Sequence, residues 1–435
     1  MKTDDELGEL VATEVARPVD RSKKSARWLA AVLATLVMLA GLKYLKYFPY
    51  VDTDSPHYQA MADGKSEMKP FAFRVLDPAM ARLFSDMTDK STDAGFLVVG
   101  FASGWVLLYG VLTPVLERSQ DNWLALVLIL TPFWLRNFGN YFLPDPLHAA
   151  LMMVYLVLLR RRLWGWASVL LAVMFLARES TLLVALIVVP TLWWLVSRRS
   201  AVMQVGGALV GIAASKFAAR HALMNQHNIN DTLYMIGKVP WNLSRNVFGV
   251  TLWTNTMPLF QPIRVWNVPR WMHTGNIHQM GYSAFDSIYP IVTSARLLTS
   301  FGLGVCVVIC LVWRTPLRHL LPREEPYLCI AAIYGAIAFL LAPVLGASLQ
   351  RLCDYGWPLF LVYLPAVIPR VWRNWPVRTV VILIGLHLIA AWIEVIRFWI
   401  FHFDIRAAFA ILIAVNFVAG GLMIRMTSAS RRRAA

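Results

Sequence analysis

The sequence predicts an all-α, polytopic membrane protein, and three observations carry that prediction. Of 435 residues, 58% are hydrophobic and 15% charged, where soluble domains carry about 25% charged residues. Mean hydropathy is +0.55 over the whole length, more apolar surface than one buried core can use, so lipid must act as solvent. The apolar residues also fall into roughly twelve runs of about 15–23 residues, long enough to cross or nearly cross a bilayer. Backbone inside lipid must satisfy its own hydrogen bonds, so the runs are read as helices. The alternating ten-residue pattern of a barrel does not occur.

Residues 1–26 are polar and of mixed charge, with no small-residue cleavage site after the next apolar run. They predict a cytoplasmic tail and a retained first span at 28–47. A first outer loop, 48–93, follows. The second and third spans are 94–116 and 122–136. The fourth, 146–160, ends in Arg160-Arg161-Arg162, and Arg178-Glu179-Ser180 splits the fifth and sixth, 163–177 and 181–197. The seventh, 202–219, closes an N-terminal module over 27–220. A long outer loop, 221–296, leads to a five-span region at 297–425, with runs near 297–313, 327–346, 356–370, 378–396 and 406–424, and a basic tail at 426–435.

Net charge is +16. In a soluble chain this would point to nucleic acid, but here the basic residues cluster between spans. The clusters are Lys23, Lys24 and Arg27; Arg160 to Arg162; Arg198 and Arg199; Arg314, Arg318 and Arg323; Arg370, Arg373 and Arg378; and Arg431 to Arg433. With twelve spans all six fall on one side, which the positive-inside rule makes cytoplasmic, together with both termini. No nucleic-acid partner is expected. Cys306, Cys310 and Cys329 lie in apolar runs without metal-type spacing and read as small core residues, as does Cys353. The loop after the seventh span is aromatic (Tyr234, Trp241, Trp253, Trp266, Trp271, Tyr282, Tyr289), read either as an interfacial belt or as a platform for sugar or lipid. No internal repeat of a two-halved transporter is visible.

Five polar stretches remain. Val51-Asp52-Thr53-Asp54-Ser55-Pro56-His57-Tyr58 places two carboxylates just beyond the first span. A carboxylate held at an apolar boundary has its proton affinity raised toward the range useful for a base, although an isolated D-x-D is more often a solvated turn. In Phe71 to Pro78, Asp77 and Pro78 suit the start of a helix. Leu76, Met80, Leu83, Phe84 and Met87 then share one face of a surface-lying amphipathic helix, with Arg74 beside it to meet a phosphate or to snorkel. Asp145, between two prolines, is either a helix cap or a functional carboxylate. Arg178 and Glu179 interrupt two apolar helices, as a helix-end pair or as functional charges. Gln350 to Pro358 holds Arg351, Asp354 and Tyr355, and Arg351 there can clamp a phosphate or serve as an anchor. All five stretches fall on the predicted outer face. Random structural charges would not collect there, which argues for a site on that side.

Taken together, these residues resemble the GT-C superfamily of integral membrane glycosyltransferases. Asp52-Thr53-Asp54 looks like its acidic motif after the first span, and Phe73-Arg74-Val75-Leu76-Asp77-Pro78 like the Y-R-V-L-x-P stretch of bacterial members. Arg178-Glu179-Ser180 resembles their K/R-E-S/T turn, and Arg351 through Pro358 their late R-x-x-x-Y-x-x-P segment. The match covers 27–220 and in outline reaches about residue 370. The resemblance implies a bacterial inner-membrane enzyme. It would move a sugar from a polyprenyl-phosphate donor to a glycan, lipid or protein acceptor on the outer face, with inversion. It implies Asp54, or else Asp52, as the base, and Arg74, Arg178 and Arg351 on the donor phosphate, which needs charge stabilisation and not protonation to leave. Asp145, Glu179, His57, Tyr58 and Tyr355 would support them. No metal or other cofactor is obligatory in this reading, although some members of the family use a divalent metal. The alternatives are a lipid-linked glycan transporter or flippase, a ligase or phosphotransferase of the same topology, and a non-catalytic scaffold. A transporter predicts charged or broken spans at mid-membrane, whereas the runs here are mostly charge-free, Lys216 near the end of the seventh being the exception.

Overall fold

The computed structural model describes residues 21–47, 54–67, 71–117, 122–222, 239, 242–252, 282–285, 288–316, 320–345, 349–371 and 376–434. The chain is predominantly helical. In order come α1 (Arg21–Tyr47), α2 (Ser55–Ala62), a 3₁₀ turn (Phe71–Phe73), α3 (Leu76–Thr88), α4 (Thr92–Leu116), α5 (Asn122–Ile129) and α6 (Phe133–Gly139). Next are α7 (Asp145–Arg160), α8 (Trp164–Ala177), α9 (Thr181–Leu195) and α10 (Arg198–Ala222). After a short helix over 242–248 come two strands, β1 (Val250–Leu252) and β2 (Tyr282–Phe285), paired as an antiparallel ribbon. The C-terminal half holds α11 (Ile288–Ser300), α12 (Gly304–Arg314), α13 (Pro326–Leu345) and α14 (Leu349–Asp354). It continues with a π-helical stretch (Pro358–Tyr363), α15 (Leu364–Val371), α16 (Val377–Ile396) and α17 (Ile405–Ala434).

Each of the twelve predicted runs overlaps helix, two of them with a break inside the run. Among the described residues, seven helical stretches are long and apolar enough to cross a membrane, or eight if the bent pair α11–α12 counts as one span. Twelve is not reached on length. α7, α8 and α9 have 16, 14 and 15 residues, and the predicted third span divides into α5 and α6. Apolar side chains such as Phe417 (83% exposed) and Leu340 (72%) face outward from the long helices. A water-bathed surface does not carry this in quantity, so the chain reads as a multi-pass membrane protein.

Side-chain contacts fix the helix directions. Arg27 near the start of α1 pairs with Glu117 just past the end of α4 at 2.9 Å, so α1 and α4 run oppositely. Arg160 at the end of α7 stands 5.9 Å over the ring of Tyr327 at the start of α13. The far ends of these helices meet at what is here called the site end. The predicted amphipathic helix is α3. It exposes Met80, Leu83 and Met87 and buries Asp77, Pro78 and Ala81, and Ala81 lies so close to Gly95 of α4 that a Cβ there would meet its backbone. Asp77 is not the cap: the helix begins at Leu76, and Asp77 is turned inward within its first turn.

Packing between helices relies on small residues. Gly207 and Gly211 of α10 form a G-x-x-x-G stripe against Ser168, Ala172 and Phe175 of α8. A Cβ on Gly211 would sit 2.7 Å from the Phe175 ring and 2.9 Å from Ala172 Cα. In lipid, where apolar burial between helices gains little, such backbone approach is a main source of cohesion.

The two broken runs meet at α16. Residues 130–132 separate α5 from α6, and 301–303 separate α11 from α12, whose axes differ by 83°. The backbone groups freed there are met by side chains. Trp392 donates to Leu130 O at 2.7 Å, and the Leu303 N–H donates to His387 Nδ1 at 3.4 Å. His387 Nε2 lies 3.4 Å from the Thr131 hydroxyl, and Arg136 donates to Ser300 O at 2.9 Å. This is how irregular backbone is tolerated at membrane depth. Gly302 has φ +56° and faces the His387 ring, which a Cβ would strike at 2.5 Å.

Candidate functional site

The polar stretches separated in sequence come together at the site end. Arg74, between the 3₁₀ turn and α3, is buried and not directed to solvent as a snorkelling residue would be. Its Nε donates to Glu179 Oε2 at 2.8 Å, its Nη2 to Glu179 Oε1, and its Nη1 to the Tyr58 hydroxyl at 2.7 Å. Burial pushes the Tyr58 phenol up to about 12 against the pull of Arg74, so Tyr58 stays neutral and accepts that bond.

Arg178 and Glu179 do not pair with each other. Consecutive backbone positions in the short turn between α8 and α9 send them to different partners. Glu179 goes to Arg74. Arg178 donates its Nη1 to Asp145 and lies 4.5 Å over the Tyr355 ring. Asp145 begins α7 without capping it, and its carboxylate is spent on Arg178. Both members of this pair are buried, at 7% and 6% exposed. His148, one turn along, is 3.2 Å from the Thr181 hydroxyl.

Arg351 of α14 donates Nη1 and Nη2 to Asp54 Oδ2 at 3.0 and 3.1 Å. Asp54 immediately precedes α2, which opens with Ser55-Pro56. Asp52 lies outside the described residues. His57 faces another way: its Nδ1 is 2.9 Å from Glu67 and its ring stacks on Phe71 at 4.2 Å. Of the predicted aromatic loop, Tyr234, Trp241, Trp253, Trp266 and Trp271 lie outside the described residues. Tyr282 belongs to β2, and Tyr289 carries Arg245 at 4.4 Å from its ring.

The cluster has two layers. Tyr58, Arg74, Asp145 and Arg178 form a buried floor. Asp54, Arg351 and Glu179 form a more exposed rim, with Glu179 about half exposed and Asp54 28% exposed. Around the floor, Asp77 Oδ2, Arg178 Nε, Ser180 Oγ and the Tyr355 hydroxyl are buried with no hydrogen-bond partner among the described residues. Buried polar atoms are rarely left so. Each of the three predicted phosphate-binding arginines is already matched with a carboxylate, so an incoming anion must exchange with one. Among the described residues, no group of three His, Cys, Asp or Glu side chains forms a metal site.

Two participants were not read from the sequence. Arg136 of α6 grips Asp354 of α14 with both ends of its guanidinium, Nε to Oδ2 at 3.1 Å and Nη2 to Oδ1 at 2.6 Å. A lone arginine inside the apolar Phe133–Gly139 segment is the signal that could have found it. Asp77 is the other. Burial, with Asp145 nearby, raises its carboxyl well above the usual range, which favours the neutral form. Its place before a proline concealed this, because Asp-Pro also suits a helix start. Among the described residues a crevice lies away from this cluster, between α4, α7, α13 and the π-helical stretch toward Arg160. Comparison with family models, with curated proteins and with solved structures finds no match.

Proposed function

We propose that the protein is an integral membrane glycosyltransferase that takes a sugar from a polyprenyl-phosphate donor at the site end. The observation that carries this is the meeting of Asp54 with Arg351, a base candidate and a phosphate ligand on one salt bridge. In the proposed reaction the donor phosphate takes the place of Asp54 on Arg351. The freed Asp54 carboxylate accepts the proton of the acceptor hydroxyl, and that oxygen bonds to the anomeric carbon from the face opposite the phosphate. The C–O bond to phosphate breaks, and polyprenyl phosphate leaves with the electron pair, its charge met by arginine. Arg74 and Arg178 hold the floor beneath, with Glu179, Asp145, Tyr58 and Tyr355 fixing them, and His57 fixes α2 through Glu67. Asp52 is the alternate base. The lipid-facing side of α3 suits a donor that arrives within the membrane. Twelve crossings, cytoplasmic termini and a bacterial inner membrane with the site on its outer face belong to the same reading. The acceptor is a cell-envelope glycan, lipid or protein, and a divalent metal is optional.

The broken runs at 130–132 and 301–303 favour a second reading, a lipid-linked glycan transporter, since discontinuous helices are a transporter feature. One experiment separates the two. Protein in liposomes is given a panel of polyprenyl-phosphate sugars with envelope acceptors, and release of polyprenyl phosphate is measured beside movement of labelled donor across the bilayer. Release that is lost in Asp54→Asn supports transfer. Movement without release supports transport and sinks the enzyme reading.

A further inference from the structure

α7 joins two chemically different places. Asp145 opens it at the site end and Arg160 closes it, about 22 Å away at 1.5 Å per residue. At the Arg160 end a crevice opens between α4, α7, α13 and the π-helical stretch. Its walls are apolar, with Val111, Pro114, Met153, Val157 and Val362 among them, and Arg160 is its charged lining residue. Arg160 is exposed, and its guanidinium rests over Tyr327. Among the described residues no carboxylate pairs with it. Arg161, Arg162 and Arg323 are exposed around the same end, against the acidic Glu324 and Glu325. The first turn of α13 also lines the crevice through Tyr327 and Leu328, and a helix N-terminus favours negative charge.

We propose that this crevice is a binding site for an anionic phospholipid, with one acyl chain along the apolar walls and the phosphate on Arg160. Acyl chains gain little from protein walls as apolar as the bilayer itself, so the walls set position and Arg160 with its neighbours sets the choice of headgroup. Guanidinium suits the phosphate because it offers paired donors in one plane. A zwitterionic lipid presents its own cation beside the phosphate and is the poorer fit. The site is independent of the reaction proposed above and lies at the other end of the bundle.

The test uses the full chain in nanodiscs of phosphatidylcholine doped with phosphatidylglycerol bearing a photoactivatable acyl chain. Labelling concentrated on Pro114, Val157 and Val362 is expected, and labelling spread evenly around the lipid-facing perimeter overturns the proposal. Native mass spectrometry of the detergent-purified protein supplies the second readout. Retained phosphatidylglycerol should exceed phosphatidylcholine, and should fall by about tenfold or more in both Arg160→Glu and the crevice-filling Val157→Phe. Equal retention of both lipids, or loss in Arg160→Glu with full retention in Val157→Phe, overturns it, because the latter would be surface attraction without a seat.

Discussion

Asp54 and Arg351 stand 297 residues apart in the chain and are joined by two hydrogen bonds to a single carboxylate oxygen, at 3.0 and 3.1 Å. The pair links the first polar stretch to the last. If it exchanges for a substrate phosphate, its two halves are not equivalent. Asp54→Asn should lower transfer by about 10²–10⁴-fold, the range lost with a general base, while donor binding holds or tightens, because the phosphate no longer competes with a carboxylate for Arg351. Arg351→Gln should weaken donor binding as well. Transfer kinetics in liposomes against donor concentration check both, and unaltered turnover in Asp54→Asn removes Asp54 from the mechanism.

The Arg178–Asp145 pair is buried, so its members are expected to be costly to separate. Asp145→Ala should destabilise the protein by about 3–5 kcal/mol, because a buried guanidinium loses its counter-charge. Arg178→Met with Asp145→Leu should recover much of that stability without recovering activity. Thermal unfolding in detergent, with transfer assayed in parallel, reads the two effects separately.

Asp77 gives a pH signature. Its carboxyl titrates higher in the folded protein than in the unfolded chain, because of burial and the nearby Asp145. The folded state therefore holds the proton that the unfolded state releases. The resulting stability is full below the unfolded value, about 3.9, and declines as pH rises toward the folded one. Asp77→Asn, which mimics the neutral acid, should flatten that part of the profile and be at least as stable near neutrality. A steeper decline in the variant would show that Asp77 is ionised in the native protein. Melting temperature between mildly acidic and neutral pH is the measurement.

The glycine stripe of α10 offers an internal control. Gly207→Ala should cost about 1–3 kcal/mol by overpacking against Ser168. Gly206→Ala, whose Cβ would meet nothing within 4 Å, should be neutral or slightly stabilising. Equal melting temperatures for the two would mean that α8 and α10 do not pack as closely as described.

Arg136 is expected to act through Asp354 on the helix that carries Arg351. Arg136→Gln should loosen that helix and raise KM for donor more than it lowers kcat, while Arg136→Lys should restore part of the affinity. Equal losses in both constants would assign Arg136 to general folding.

Much of this architecture could be read from composition, since long apolar runs have few options in lipid. The placement of Arg74, Asp145, Arg178 and Arg351 at one end also followed from counting runs. What could not be read was pairing. Arg178 and Glu179 are neighbours in sequence, and nothing local shows that a turn between helices sends them to Asp145 and Arg74. The divided third run was signalled only by Pro132, which a membrane helix can also absorb as a kink, while the side chains that satisfy the opened backbone belong to α16, some 260 residues on. Asp77 was misread because a capping aspartate and a buried neutral one have the same local sequence.

The segment from Leu349 to Pro358 places Arg351 on Asp54, Asp354 on Arg136 and Tyr355 under Arg178. Two ion pairs and one cation–π contact of the N-terminal half are thus completed only when a piece of the C-terminal half arrives. The two halves distinguished by the run of spans are therefore not independent folding units. A fragment ending before residue 297 should be recovered poorly on its own and rescued by co-expression of the remainder, as a split protein whose pieces find each other through those three contacts.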